Sequence, residues 1–356
     1  MNEVVGGMLS LVIFLGCAWG WAWVVARWRV GRPALAPHGP PRGAWGLADL
    51  LVLAAAVLAG LTLVVGMGSE LLAEDPYQNG ELNPQVAGPF FLLDAFGKLL
   101  GVGVGLAWLA MRYSGAHLRR TLPLAEAPDA GDWRLGLVAF AMLAVPTFTL
   151  QFLLVQWSDT TERHQLIELL EANPQVGFLA VAVFSAVIVA PLTEEILFRG
   201  LLQPWLERLG CERNWQTLLL GGFAESGEIV IDAEMAAEIG PDDAAGAEEA
   251  PPLPIPSASG GVNPYEPPLS VWPPGEALPA GAGGGFRPQW WPIIATSAIF
   301  AALHLGQGPA PVPLFFLSLG LGYLAQRTRR LWPCVLVHML LNGTSLALLW
   351  LATGAE

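Results

Sequence analysis

Few side chains in this sequence could carry acid–base chemistry in an apolar setting, and they fall in three short runs. The first is Glu194-Glu195-Ile-Leu-Phe-Arg199. On a helix, adjacent residues point about 100° apart, while positions i and i+4 share a face. Glu195 therefore pairs with Arg199. Glu194 is left on a neighbouring face with no in-helix cation, and such a carboxylate in an apolar site suits a general base. The second run ends Phe-Ala-Ala-Leu-His304, and the third is His338-Met-Leu-Leu-Asn342. His338 and Asn342 are again i and i+4, so both can address one point. Together these groups are the parts of a hydrolytic site: a base for water, with imidazole and amide donors for a developing oxyanion. Taken singly, the first run also reads as an ordinary Glu–Arg helix-end pair at the interface, and each histidine as a satisfied core residue. Asp94 and Lys98, likewise i and i+4, read as a structural ion pair.

The elements that must position these residues are membrane helices. The chain has 356 residues, 54% of them hydrophobic and 13% charged, with a mean hydropathy of +0.51, where soluble domains carry about a quarter charged residues. A membrane core of ~30 Å needs roughly 20 apolar helical residues. Candidate spans are Val4–Ala26, Gly46–Met67, Phe90–Met111, Leu135–Gln156, Val176–Pro191 continuing to about Leu209, Trp290–Leu305, Val312–Ala325 and Leu331–Ala352. The expected fold is an all-α, multi-pass transmembrane bundle of about eight helices. Ionisable groups inside such spans are costly and mark function by default. Gly101-Val-Gly-Val-Gly105 lies mid-span, where small residues serve close helix packing.

Loop charges alternate. Arg27/Arg29/Arg32, Arg112/Arg119/Arg120, Arg208/Arg213 and Arg327/Arg329/Arg330 fall on one side, and Glu70/Glu74/Asp75/Glu81 with the 159–171 loop on the other. The positive-inside rule makes the arginine side cytoplasmic and puts the N-terminus outside. The first apolar run has its arginines after it, the reverse of a cleaved signal peptide, so it reads as a retained anchor. Cys17, Cys211 and Cys334 show neither metal spacing nor a disulfide framework.

The net charge of −13 has a local source. Residues 223–289 hold eleven acidic side chains against Arg287, with twelve prolines and ten glycines. Such a segment cannot bury enough apolar surface to offset its ordering entropy. It is expected to be a disordered, acidic, Pro/Gly-rich cytoplasmic insertion, preceded by a short interfacial helix over 214–222. No basic stripe exists, which excludes nucleic acid as a partner. The expected organisation is a four-helix N-terminal membrane region over 1–175 and a catalytic membrane domain over 176–352 that contains the insertion.

Glu-Glu-x-x-x-Arg at 194–199, Phe-x-x-x-His at 300–304 and His-x-x-x-Asn at 338–342 resemble, in order, spacing and apolar setting, the motifs of the CAAX-protease and bacteriocin-processing family of intramembrane endopeptidases. The resemblance covers about 176–349 apart from the insertion. It implies Glu194 as the base that activates water, assisted by His304, with His338 and Asn342 stabilising the oxyanion. Glu195 and Arg199 would hold the site together. The family is often labelled metalloprotease, and a metal-free glutamate mechanism is the competing description. His-Glu-x-x-His is absent, while Glu194, His304 and His338 would make a His₂Glu zinc set. No cofactor is expected, with zinc as the alternative.

The resemblance implies a membrane-associated or lipid-modified polypeptide substrate cut within the lipid bilayer. The expected location is the cytoplasmic membrane of a bacterium, with the site open to the cytoplasmic side. A non-catalytic immunity or scaffold protein of the same fold is the alternative. Helix rise puts His304 ~21 Å, His338 ~10 Å and Asn342 ~16 Å from the cytoplasmic face, but Glu194 only ~3 Å if Val176 marks the outer face. A shared site requires these depths to converge.

Overall fold

The computed structural model describes residues 2–31, 34–35, 43–72, 74–78, 81–113, 127–157, 169, 172, 175–210, 214–222 and 289–352. The expected disordered insertion therefore lies, apart from Gln289, outside the described residues. The principal helices are α1 (Asn2–Arg29), α2 (Leu47–Ser69), α3 (Ala87–Arg112), α4 (Ala130–Trp157), α5 (Val176–Leu209), α6 (Trp215–Leu220), α7 (Trp290–Ala302), α8 (Pro311–Thr328) and α9 (Trp332–Ala352). Between α2 and α3, β1 (Tyr77–Gln78) and β2 (Glu81–Leu82) pair antiparallel, with Tyr77 opposite Leu82.

The architecture is a helical membrane bundle. All eight apolar segments of the sequence are helical, and among the described residues six helices, α1 to α5 and α9, are long and apolar enough to cross a membrane. Large apolar side chains such as Leu11, Phe14, Trp19, Leu58 and Phe152 lie on the surface, as a lipid solvent permits and water does not. The short helix expected over 214–222 is α6, capped by Asn214, whose side-chain oxygen accepts the Gln216 and Thr217 amides.

Glycine lets α2 and α3 touch. A Cβ at Gly60 would sit 2.6 Å from the Gly97 carbonyl oxygen, and one at Gly101 would collide with the Val57 backbone. One at Gly105 would run into the Leu53 side chain. The mid-span glycines therefore serve close backbone approach, the packing mode of membrane helices. Asp94 and Lys98 form their ion pair at 2.7 Å.

The helix ends that carry arginine meet at one end of the bundle. Asp49, at the start of α2, accepts the Gly46 amide at 2.9 Å and the Tyr113 hydroxyl at 2.6 Å, and pairs with Arg112 at 3.2 Å. Arg112 also donates to the Leu220 carbonyl, and Arg208 donates to the Trp45 carbonyl at 2.9 Å. Arg329 pairs with Glu207, and Arg330 pairs with Asp132 at 2.6 Å. These contacts gather the starts of α2 and α4 with the ends of α3, α5 and α8. Burial, then the hydrogen bond and charge of Asp49, push the Tyr113 hydroxyl above the ordinary tyrosine range, while Arg112 and Arg208 pull it down.

Candidate active site

The site is built on the middle of α5. This helix is 34 residues long, about 51 Å if straight, so it exceeds the ~30 Å membrane core. Glu194 falls near the centre of α5, so a count from Val176 does not fix its depth. Glu194 Oε2 lies 3.8 Å from His338 Nε2.

α5 is not regular. Turns of π-helix over Val183–Val189 and Ile196–Leu202 flank a six-residue α-helical stretch, Ala190–Glu195, that bears both glutamates. Wider turns of this kind occur mostly as local bulges and frequently at functional sites. The first widened turn has a visible consequence. The Ala190 amide donates five residues back, to the Ser185 carbonyl. In the same register the next donor would be residue 191, facing the Ala186 carbonyl, but Pro191 has no N–H. Asn342 fills the gap: its side-chain Nδ2 donates to the Ala186 carbonyl at 2.8 Å. A part-buried backbone carbonyl is satisfied by a side chain from another helix.

The two adjacent glutamates take different partners. Glu195 is fully buried and accepts from Arg199 Nη1 at 3.0 Å and from His338 Nδ1 at 2.8 Å, both through Oε1. Glu194 is 24% exposed and turns to the other ring nitrogen of His338. With Nδ1–H committed to Glu195, a neutral His338 ring presents its bare Nε2 towards Glu194. One imidazole is thus addressed by two carboxylates from one helix, and among the described residues only the buried one, Glu195, is paired with a guanidinium.

His304 follows α7 in a turn, with its Nδ1 2.8 Å from the Phe300 carbonyl oxygen. A carbonyl only accepts, so the proton is on Nδ1 and the neutral ring has Nε2 bare. Phe300 is the shared wall: its ring centroid is 4.8 Å from that of His304 and 5.9 Å from that of His338, and Arg199 lies over its face at 4.8 Å. The structure therefore joins Glu194, Glu195, Arg199 and His338 directly, brings His304 to the same phenylalanine, and ties Asn342 to the backbone of α5 at Ala186, about two turns before Glu194. His338 and Asn342 both face α5, as their phase predicts, but they hold different atoms of it.

Zinc would require Glu194, His304 and His338 to converge. Among the described residues no three His, Cys, Asp or Glu side chains form a group that could hold a metal ion. The three residues do not fit a closed His₂Glu set in this arrangement.

Several buried polar residues escaped the sequence analysis. Gln203, Glu207, Ser318 and Gln326 are each at most 2% exposed. Their signal was present: Glu195, Arg199, Gln203 and Glu207 repeat every four residues, a polar stripe on an otherwise apolar helix.

Residues 176–224 and 278–344, about a third of the chain, match the family model described as Rce1-like, type II CAAX prenyl endopeptidase. Glu194, Glu195, Arg199, His304, His338 and Asn342 all lie within the matched residues. No curated protein and no solved structure matches the chain. The helices that build this site, α5 to α9, are thus the part of the chain similar to the Rce1-like family model of type II CAAX prenyl endopeptidases.

Proposed function

We propose that the protein hydrolyses a peptide bond in a membrane-associated or lipid-modified polypeptide, with Glu194 as the base that activates water. Similarity to the matched family model supports the reaction class, a CAAX-type intramembrane endopeptidase. The observation that carries the assignment of roles is the pairing of Glu194 and Glu195 around His338. Glu195 neutralises Arg199 and orients the ring. Glu194, partly exposed and 3.8 Å from Nε2, is the carboxylate left to take a proton.

The remaining roles follow from the donors available. His304, with Nε2 bare, assists Glu194 in moving the proton of the attacking water. Glu194 passes the proton taken from water to His338 Nε2, whose charged ring stabilises the oxyanion of the tetrahedral intermediate and then gives that proton to the leaving amine. Asn342 has a second amide hydrogen beyond the one given to Ala186 and joins it. A substrate that is itself anchored in lipid gains proximity, since binding in the bilayer orients the bond before chemistry begins. The arginine-bearing end of the bundle is read as cytoplasmic, the membrane as the cytoplasmic membrane of a bacterium, and the site as open to that side.

The test is direct. Purified protein is offered a library of lipidated and unmodified peptides, and cleavage is read by mass spectrometry. Glu194→Ala is expected to lower kcat by about 10²- to 10⁴-fold with an unchanged melting temperature. Equal cleavage by wild type and variant would overturn the reading and favour a non-catalytic scaffold of the same fold.

A further inference from the structure

Below the site, α5 and α8 are joined by a ladder with a constant step. Arg199 Nη2 donates to Ser318 Oγ at 2.7 Å, Gln203 Nε2 to the Gly322 carbonyl at 2.8 Å, and Gln326 Nε2 to Glu207 Oε1 at 3.1 Å. Each pair is 119 positions apart. Two helices that keep the same offset over three successive rungs, about two turns, run in the same direction and in register. The lower end is closed by charge. Glu207, fully buried, also pairs with Arg329, which sits in the left-handed region at φ 55° as the residue ending α8. A non-glycine residue in that region is held by its surroundings.

The top rung touches the site. Arg199 is 2% exposed, and its planar guanidinium has donors in fixed directions. Nη1 goes to Glu195 Oε1, Nη2 goes to Ser318, and the plane lies over Phe300. With both ends held, the guanidinium cannot turn in its pocket. Glu195 Oε1, which it grips, is the atom that accepts from His338 Nδ1.

We propose that Ser318 is a positioning residue for His338, acting through Arg199 and Glu195, and that the Gln203–Gly322 and Glu207–Gln326 rungs hold it in register. Ser318 Oγ orients Arg199, Arg199 orients Glu195, and Glu195 keeps the His338 proton on Nδ1 so that Nε2 faces Glu194. The kinetic part of this inference rests on the peptidase reading; the orientation of the ring does not.

Serine here has a plain steric alternative, since a small residue would let α8 approach α5. The two explanations rank substitutions in opposite order. If size alone matters, Ser318→Ala works as well as serine and Ser318→Thr is worse. If the hydrogen bond matters, Ser318→Ala is impaired and Ser318→Thr restores function.

The experiment uses the full chain in detergent micelles. Peptide cleavage gives kcat and KM, and ¹⁵N-histidine NMR, assigned with His338→Gln, reads which ring nitrogen of residue 338 carries the proton. Ser318→Ala is expected to lower kcat about tenfold or more, as small misplacements of reacting groups do, with KM within about twofold, and to move the His338 signal away from a pure Nδ1–H tautomer. Ser318→Thr is expected to recover both. Ser318→Cys, close to serine in size but a weak acceptor, is expected to behave like alanine and decides the matter if Ser318→Ala does not fold. A wild-type kcat and tautomer in the Ala or Cys variant, or a Thr variant as impaired as Ala, overturns the proposal. If Glu194→Ala cleaves like wild type, the peptidase reading fails, and the His338 tautomer still decides the role of Ser318.

Discussion

Glu195 and His338, 143 positions apart, meet in a 2.8 Å hydrogen bond on a carboxylate oxygen that Arg199 also grips from 3.0 Å. A carboxylate, a guanidinium and an imidazole, none more than 3% exposed, are stable together only because each desolvated charge has a partner. The arrangement separates two jobs that one glutamate could not do at once. Glu195 is spent on holding the ring, and Glu194 stays available.

The first prediction concerns this division. Removing Glu195 leaves Arg199 buried without its carboxylate, a loss on the order of 3–5 kcal/mol. Glu195→Ala should therefore lower the melting temperature and expression of the protein, measured by thermal unfolding in detergent. Glu194→Ala should leave both near wild type. Activity is lost in each, for different reasons.

Asn342 and Pro191 should be coupled. Asn342→Ala leaves the Ala186 carbonyl without a donor, at a cost of about 1–3 kcal/mol. Pro191→Ala restores a backbone N–H opposite that carbonyl. In a double-mutant cycle of unfolding free energies, the pair should be less destabilised than the sum of the singles. Strict additivity would remove the account of the widened turn.

The glycine contact between α2 and α3 can be tested without touching the site. A side chain at Gly101 collides with the Val57 backbone, and overpacking of this kind costs about 1–3 kcal/mol. Gly101→Val should lower thermal stability, whereas Gly103→Val, where a Cβ meets nothing within 4 Å, should not. Unfolding curves of the two variants in the same detergent give the comparison.

The Tyr113–Asp49 contact sets an alkaline limit. The folded protein holds the phenolic proton more tightly than the unfolded chain does, because burial and Asp49 disfavour the phenolate. A raised folded-state value gives stability that is full below the unfolded value of about 10 and is lost as pH rises beyond it. Melting temperature measured from pH 8 upward should fall above about pH 10. Tyr113→Phe should be less stable at neutral pH by about 1 kcal/mol and show a shallower fall.

Local pairings could be read from residue order alone. Glu195 with Arg199 and Asp94 with Lys98 needed only the 3.6-residue turn, and membrane residence needed only the length of the apolar runs. The three motifs marked Glu194, His304, His338 and Asn342 as a set, and the family match falls on the same residues. Partners across 119 to 156 positions are a different matter. That His338 spends Nδ1 on Glu195, that Asn342 replaces the missing amide of Pro191, and that Ser318 steadies Arg199 all depend on how α5, α8 and α9 pack and in what register. Helix phase says which face a side chain occupies. Only the packed bundle, with its widened turns and its 34-residue central helix, decides which atom it meets there.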